Sequence, residues 1–403
     1  MYLYFALTAA LTLAGFAIQY LLRKNFQLAK ATVCGLSFVV LGTLSAFRYA
    51  VGYDYEYVYL PLYKPILENP FISSTGMEHE PGFIFLERIC ALLSDDPQML
   101  FIVTSYMIIG LFMLYYYIYS PNPVVSIFLF LSLSQYYCSM NFIRQTLAGV
   151  ICLYAIPFLH KRKFFPYFAF VVLAATFHVS ALIMLVFYFI NMIPIDGYML
   201  AIYLPVTIIL YLSSTETLAL ITRYIYDDYN ATNPEVIAGF PIGFLIGIVL
   251  MFVFLFLMRN VLVARNKSNY VYVNYAFFSV LFVFLSTKHA VLDRFSLFFN
   301  LLYPIGAALV IAEMRGILKK AGELKKFLYS YSIGSMTEKR TQISFAVILL
   351  TVFVGASTIH YHALSRDSHG VIPYRSVLKG GNNSAQVSDG LFYAGDPYPA
   401  PML

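Results

Sequence analysis

Long apolar stretches, separated by short polar breaks, run through most of the chain. They fall near residues 2–22, 29–47, 98–119, 123–140, 144–159, 164–177, 179–191, 197–213, 239–258, 270–287, 293–314 and 341–358. Many approach the roughly 17–25 residues that a helix needs to cross a bilayer. Backbone inside hydrocarbon must satisfy its own hydrogen bonds, so the pattern predicts an all-α, polytopic integral membrane protein with about 11–13 transmembrane helices. The runs are too long for the alternating strands of a membrane barrel. Residues 80–93 are apolar but short and carry Glu87 and Arg88, which suits a re-entrant or interfacial helix. The first stretch has no preceding basic region and no small-residue cleavage site, so it reads as a retained span.

The polar breaks carry an orientation signal. With the N-terminus outside and 80–93 not crossing, the cytoplasmic loops collect 16 of the 26 Lys and Arg residues. Reading 164–191 as one span would invert every later loop and put the basic stretch 315–340 outside. A broken pair of half-length helices, with His178 near the break, avoids this. The expected organisation is a transmembrane helical domain over 1–359, followed by a polar, partly disordered tail over 360–403. Within the first part lie outer-face loops 48–80 and 214–238 and the basic cytoplasmic loop 315–340, suited to anionic headgroups.

Composition agrees with a membrane protein. The 403-residue chain is 60% hydrophobic and 11% charged, with mean hydropathy +0.74. Trp is absent, while Tyr numbers 35, so Tyr is the natural interfacial belt residue. The four cysteines sit in apolar runs without metal-ligand spacing and read as small buried hydrophobes. Asn230-Ala-Thr matches a glycosylation sequon, a weak signal by itself. The net charge of +6 comes without a basic stripe of the kind that tracks nucleic acid. No Walker loop, dinucleotide fingerprint, HExxH or nucleophile elbow is present.

Charge at the lip of an apolar segment is costly and invites a functional reading. Arg48 comes directly after the run 29–47 and is either a snorkelling anchor or a phosphate-gripping guanidinium. Asp54, six residues on in an aromatic turn, is either its salt-bridge partner or its orienter. Glu80, before Pro81, is either a helix-start charge or a carboxylate for sugar hydroxyls or a proton. Arg144 stands where one apolar segment gives way to the next, beside free helix N–H groups suited to an anion. His178 is either a satisfied buried group or a general base. Arg294 is either neutralised by Asp293 or the second arm of a two-arginine clamp on a pyrophosphate. His289 and the pair His360 and His362 are weaker; the pair lacks a third metal ligand nearby.

Five strings in order, FRYAVGYDYEYVY (47–59), EPGFIFLE (80–87), NFIRQTLA (141–148), FHVSALI (177–183) and DRFSLFFN (293–300), together with VIPYRS (371–376), resemble the EpsG-like branch of bacterial Wzy-type polysaccharide polymerases. The resemblance covers about residues 1–380. It implies a GT-C-like membrane glycosyltransferase with short broken helices and extracytoplasmic loops. Such an enzyme would sit in the bacterial inner membrane, with its active site facing the periplasm or exterior. It would polymerise undecaprenyl-pyrophosphate-linked oligosaccharide repeats for O-antigen, capsule or exopolysaccharide, without a cofactor, metal or nucleic acid. A chain-length regulator and a flippase would be its partners, beside membrane lipids. By the same resemblance Arg48, Arg144 and Arg294 would bind pyrophosphate. His178 would be the base, and Asp54 and Glu80 would orient an arginine, bind sugar or serve as reserve bases. An O-antigen-ligase-like transferase or a lipid-linked oligosaccharide flippase remain the alternatives. A flippase would call for an internal repeat and a charged cavity through the midplane, and the sequence offers neither.

Overall fold

The computed structural model describes residues 1–74, 79–216, 242–289, 292–319 and 338–379. Most of loop 214–238, including the sequon at Asn230, and most of loop 315–340 lie outside these residues.

The described chain is helical, with no β-strand. Its helices are α1 (Tyr2–Leu21), α2 (Phe26–Ala46), α3 (Leu60–Glu68), α4 (Pro81–Leu93), α5 (Gln98–Tyr119), α6 (Pro123–Ser132), α7 (Gln135–Asn141), α8 (Ile143–Leu153) and α9 (Ile156–His160). They continue with α10 (Phe164–Ala175), α11 (Ile183–Ile190), α12 (Gly197–Leu212), α13 (Ile242–Leu257), α14 (Arg259–Arg265), α15 (Tyr270–Ser286), α16 (Asp293–Asn300), α17 (Tyr303–Lys319) and α18 (Glu338–Ser365). Among the described residues, six helical stretches are long and apolar enough to cross a membrane, and up to eight if each bent pair counts as one span. The chain is an all-α polytopic membrane protein.

Several expected spans are shorter or broken. The 12-residue α10 reaches only about 18 Å at 1.5 Å per residue, well short of a hydrocarbon core of about 30 Å. The chain then leaves helical geometry at His178, whose extended backbone precedes a single 3-10 turn, Val179–Leu182, and α11. The pair α6–α7 bends by 56° where Ser134 adopts a left-handed φ of +64°.

Burial sorts the bundle. The stretch 293–314, formed by α16 and α17, is 83% buried, against 22% for α1. The centre is thus built by α15 on α16 and by α17 on α6, with α2–α5 and α13–α18 packed around it. The core is rich in rings, such as Phe282 stacked on Phe299 at 5.4 Å. Apolar side chains gain no hydrophobic advantage over lipid here, so dispersion and ring packing hold the helices together.

The polar segment after residue 360 is built into the fold as far as Lys379. Helix α18 runs on to Ser365, and the chain beyond it returns to the loop after α2. There Tyr49 N–H donates to Arg375 O at 3.1 Å, and Gly52 N–H donates to Gly370 O at 2.7 Å. Gly52 takes φ +99°, and a Cβ there would stand 2.7 Å from the Met140 carbonyl, so only glycine lets this loop reach α7. The loop therefore holds Asp54 against the core.

Candidate functional site

The ionisable residues scattered along the sequence fall into two groups. Arg48 forms one by itself. It is fully buried, and all three guanidinium nitrogens are engaged. Nη1 donates to Ser45 O at 2.5 Å and to Ser105 Oγ at 2.8 Å. Nη2 donates to Met140 O at 3.3 Å, and Nε donates to Val51 O at 3.3 Å. The Phe101 ring lies 5.2 Å from the guanidinium carbon. Burial lowers the pKa of Arg48 to about 10, which leaves it cationic at neutral pH. Every one of these partners is a neutral oxygen or a ring. The side chain ties the end of α2 to α5 and to the last turn of α7.

The second group gathers Asp54, Glu80, Arg144, His178 and Arg294 from five separate segments. Arg144 Nη1 donates to Glu80 Oε2 at 2.7 Å, and both side chains are partly accessible, at 20% and 16%. The other Glu80 oxygen accepts from Val179 N–H at 3.0 Å. Glu80 thus joins the start of α4, the start of α8 and the turn beside His178. The approach is close because the residue two positions on is Gly82. Gly82 N–H donates to Thr176 O at 2.8 Å, and a Cβ at that position would lie 2.4 Å from Thr176 Oγ1. Pro81 fits the first helical turn, where an N–H has no partner within the helix.

Arg144 differs from Arg48 in what it leaves over. Its Nε is buried without a hydrogen-bond partner among the described residues. A buried, unmatched donor is costly and rare in a finished packing arrangement. An acceptor supplied by a bound ligand would satisfy it. Its backbone N–H, at the start of α8, meets the Tyr59 hydroxyl at 3.3 Å.

Asp54 is half-buried in the loop after α2, and its backbone N–H donates to Asn141 Oδ1 at 2.9 Å. Burial raises its carboxyl pKa to about 6, against the pull of Arg294 and Arg144. At neutral pH it is mainly ionised yet still a useful proton acceptor. His178 has the opposite bias. Burial, together with Arg144 and Arg294, lowers its pKa to about 3, so the ring is neutral. Its Nδ1 accepts from Ser180 N–H at 3.3 Å and lies 2.7 Å from Ser180 Oγ. With Nδ1 accepting, the ring proton sits on Nε2 and makes that atom a donor.

Arg294 is carried by the first turn of α16, and the Gln145 side-chain amide of α8 donates to its backbone carbonyl. Asp293, the neighbour that could neutralise it, accepts from Ser296 Oγ at 2.7 Å within its own helix turn and also feels the Arg294 charge.

Two residues that sequence reasoning left without a role stand behind the cluster. His79 Nδ1 lies 2.8 Å from Glu87 Oε1, and both side chains are buried. Burial raises the Glu87 carboxyl pKa while Arg144 pulls the other way. The signal in the sequence was an acidic residue in the middle of a 13-residue apolar helix. His360 is engaged elsewhere, at 2.7 Å from the Tyr137 hydroxyl, and His289 Nε2 lies 3.2 Å from Thr215 Oγ1. Among the described residues no three His, Cys, Asp or Glu side chains gather as a metal site.

The charges of the cluster set its chemistry. Two guanidinium groups flank an ionised carboxylate of raised pKa and a neutral imidazole. Together they can receive a doubly charged anion and remove a proton beside it. No curated protein and no solved structure matches the chain. A family model described as the EpsG family, however, matches residues 31–376 and takes in every residue of the cluster. On that match the chain belongs to the EpsG family.

Proposed function

We propose that this protein polymerises lipid-pyrophosphate-linked oligosaccharide repeats by glycosyl transfer at the outer face of the bacterial inner membrane. Family membership supports the coarser statement, a polysaccharide polymerase-like role. The observation that carries the finer one is Arg144, a partly accessible guanidinium with an unmatched buried Nε, grouped with Arg294 and with a carboxylate of raised pKa.

In this reading the acceptor sugar hydroxyl attacks the anomeric carbon of the donor glycan. The bond between that carbon and the pyrophosphate oxygen breaks, and the hydroxyl proton passes to Asp54. Pyrophosphate leaves on its polyprenyl chain, its negative charge held by Arg144 and Arg294. Pyrophosphate is already a good leaving group, so the protein supplies mainly position and charge neutralisation. Asp54 suits the base because its pKa lies near 6. His178 suits a donor, because its Nδ1 is already matched by Ser180 and Nε2 carries the proton. Glu80 holds Arg144 in place until phosphate oxygens replace it, and its engagement by Arg144 and Val179 leaves it a poor base. Arg48 is assigned to the fold and not to the pyrophosphate.

Cells lacking the protein test the reading. Single lipid-linked repeats should accumulate on the outer side of the membrane. Material trapped inside would instead indicate a flippase.

A further inference from the structure

An apolar groove of about 500 Å³ opens between α11, α12 and α15. That volume is typical of a small-molecule site, roughly 300–1,000 Å³. Its walls are aromatic and aliphatic, with Phe187, Phe278 and Phe282 at the back. Of the hydroxyl-bearing residues that line it, Thr207 and Ser214 are turned back to α12. Thr207 donates to Tyr203 O at 2.8 Å, and Ser214 donates to Tyr211 O at 2.8 Å. Helix α12, which forms the outer wall, has no buried residue, although it is apolar throughout. It meets α15 through the stacked rings Tyr203–Phe277 and Tyr211–Phe284, at 5.6 and 4.5 Å, and the groove lies between them.

Part of the groove wall comes from segments that also carry the charged cluster. Leu292 and Phe295 line it and bracket Arg294 in sequence. Ile183 lines it at the start of α11, directly after the turn that His178 caps and Glu80 holds through Val179. An apolar groove whose wall runs into the turn that carries Arg294 fits one kind of ligand, an amphiphile with a long hydrocarbon tail and an anionic head.

We infer that this groove holds the polyprenyl tail of the lipid pyrophosphate, seating the first isoprene units beside Arg294. The inference rests on the proposed pyrophosphate site and adds where the lipid lies. In a bilayer the tail is already in an apolar medium, so the groove contributes fit and orientation, not hydrophobic transfer. It directs the pyrophosphate to the arginines from the membrane side and leaves the opposite side for sugar.

The test uses the full-length protein in lipid nanodiscs and a polyprenyl diphosphate with a diazirine near its first isoprene units. Crosslinks are expected on α12 and α15, competed by unlabelled polyprenyl diphosphate and not by polyprenol. Filling the groove by Thr207→Trp or Leu281→Trp should raise the KM for lipid-linked donor roughly tenfold, with competition by a short-chain diphosphate unchanged. Crosslinks spread over α1 and other lipid-facing helices would overturn the inference, as would equal competition by polyprenol, which marks an ordinary bilayer-lipid groove. Failure of the pyrophosphate site looks different. There, Arg294→Ala would leave short-chain diphosphate binding intact wherever the crosslinks fall.

Discussion

Arg48 and Arg144 are both arginines at the ends of apolar segments, and they behave in opposite ways. Arg48 is sealed, its three nitrogens matched by serine and backbone oxygens from α2, α5, α7 and the loop at Val51. Arg144 is partly open, paired with one carboxylate and left with an unmatched Nε. A cation whose donors are all satisfied by neutral oxygens has nothing to gain from a substrate, because any new acceptor must displace an existing one. A cation held by a carboxylate can exchange that partner for a phosphate at little cost in charge. On the proposed reading, the partners each guanidinium keeps, and not the presence of arginine, separate the structural knot at Arg48 from the anion site at Arg144.

The comparison can be broken by substitution. The largest effect is expected at Asp54. Asp54→Asn should slow glycosyl transfer by about 100- to 10,000-fold, the usual contribution of a general base. Donor binding should persist, as measured by equilibrium binding of the lipid-linked repeat. Next come the two arginines of the cluster. Arg144→Ala or Arg294→Ala should each lower the transfer rate by about 100- to 1,000-fold while membrane levels stay near wild type. Arg48→Ala should show the reverse order of damage. Four or more buried oxygens lose their donor, at about 1–3 kcal/mol each before relaxation, so the protein should lose thermal stability and membrane yield first. Folded Arg48→Ala protein with normal stability but no activity would erase the distinction. Glu80→Gln removes the charge that positions Arg144 and should cost roughly tenfold in rate, with a rise in KM if orientation is what it supplies. The smallest effect belongs to His178→Gln, which keeps a donor. Less than about tenfold loss is expected, with the pH profile unmoved.

Much of the fold was legible because apolar length is a strong signal. The twelve apolar stretches all correspond to helices, and the short stretch 80–93 appears as the 13-residue α4. The break at His178 could also be read, since 164–191 as a single span conflicted with the placement of basic residues. What the sequence could not report was the partner of each charge. Arg48 and Asp54 share one motif, yet a loop fixed by Gly52 sends them to different places, one into the packing and one to the cluster. The general base was expected at His178 because imidazole has the right pKa in water. Burial beside two arginines lowers the His178 pKa to about 3, while burial raises that of Asp54 to about 6, and the proposed mechanism places the base at Asp54 for that reason. The His79–Glu87 pair stayed hidden because a pairing across eight residues and a helix start has no pattern of its own.

The most direct measurement is the single-turnover transfer rate against pH, on purified lipid-linked repeats, for wild type and Asp54→Asn. Asp54 must be ionised to accept a proton. The wild-type rate should therefore climb with pH, reach half its maximum near 6 and level off above, and Asp54→Asn should lose both the rate and that limb. A variant that transfers sugar at the wild-type rate, with the acid limb still in place, would contradict the account.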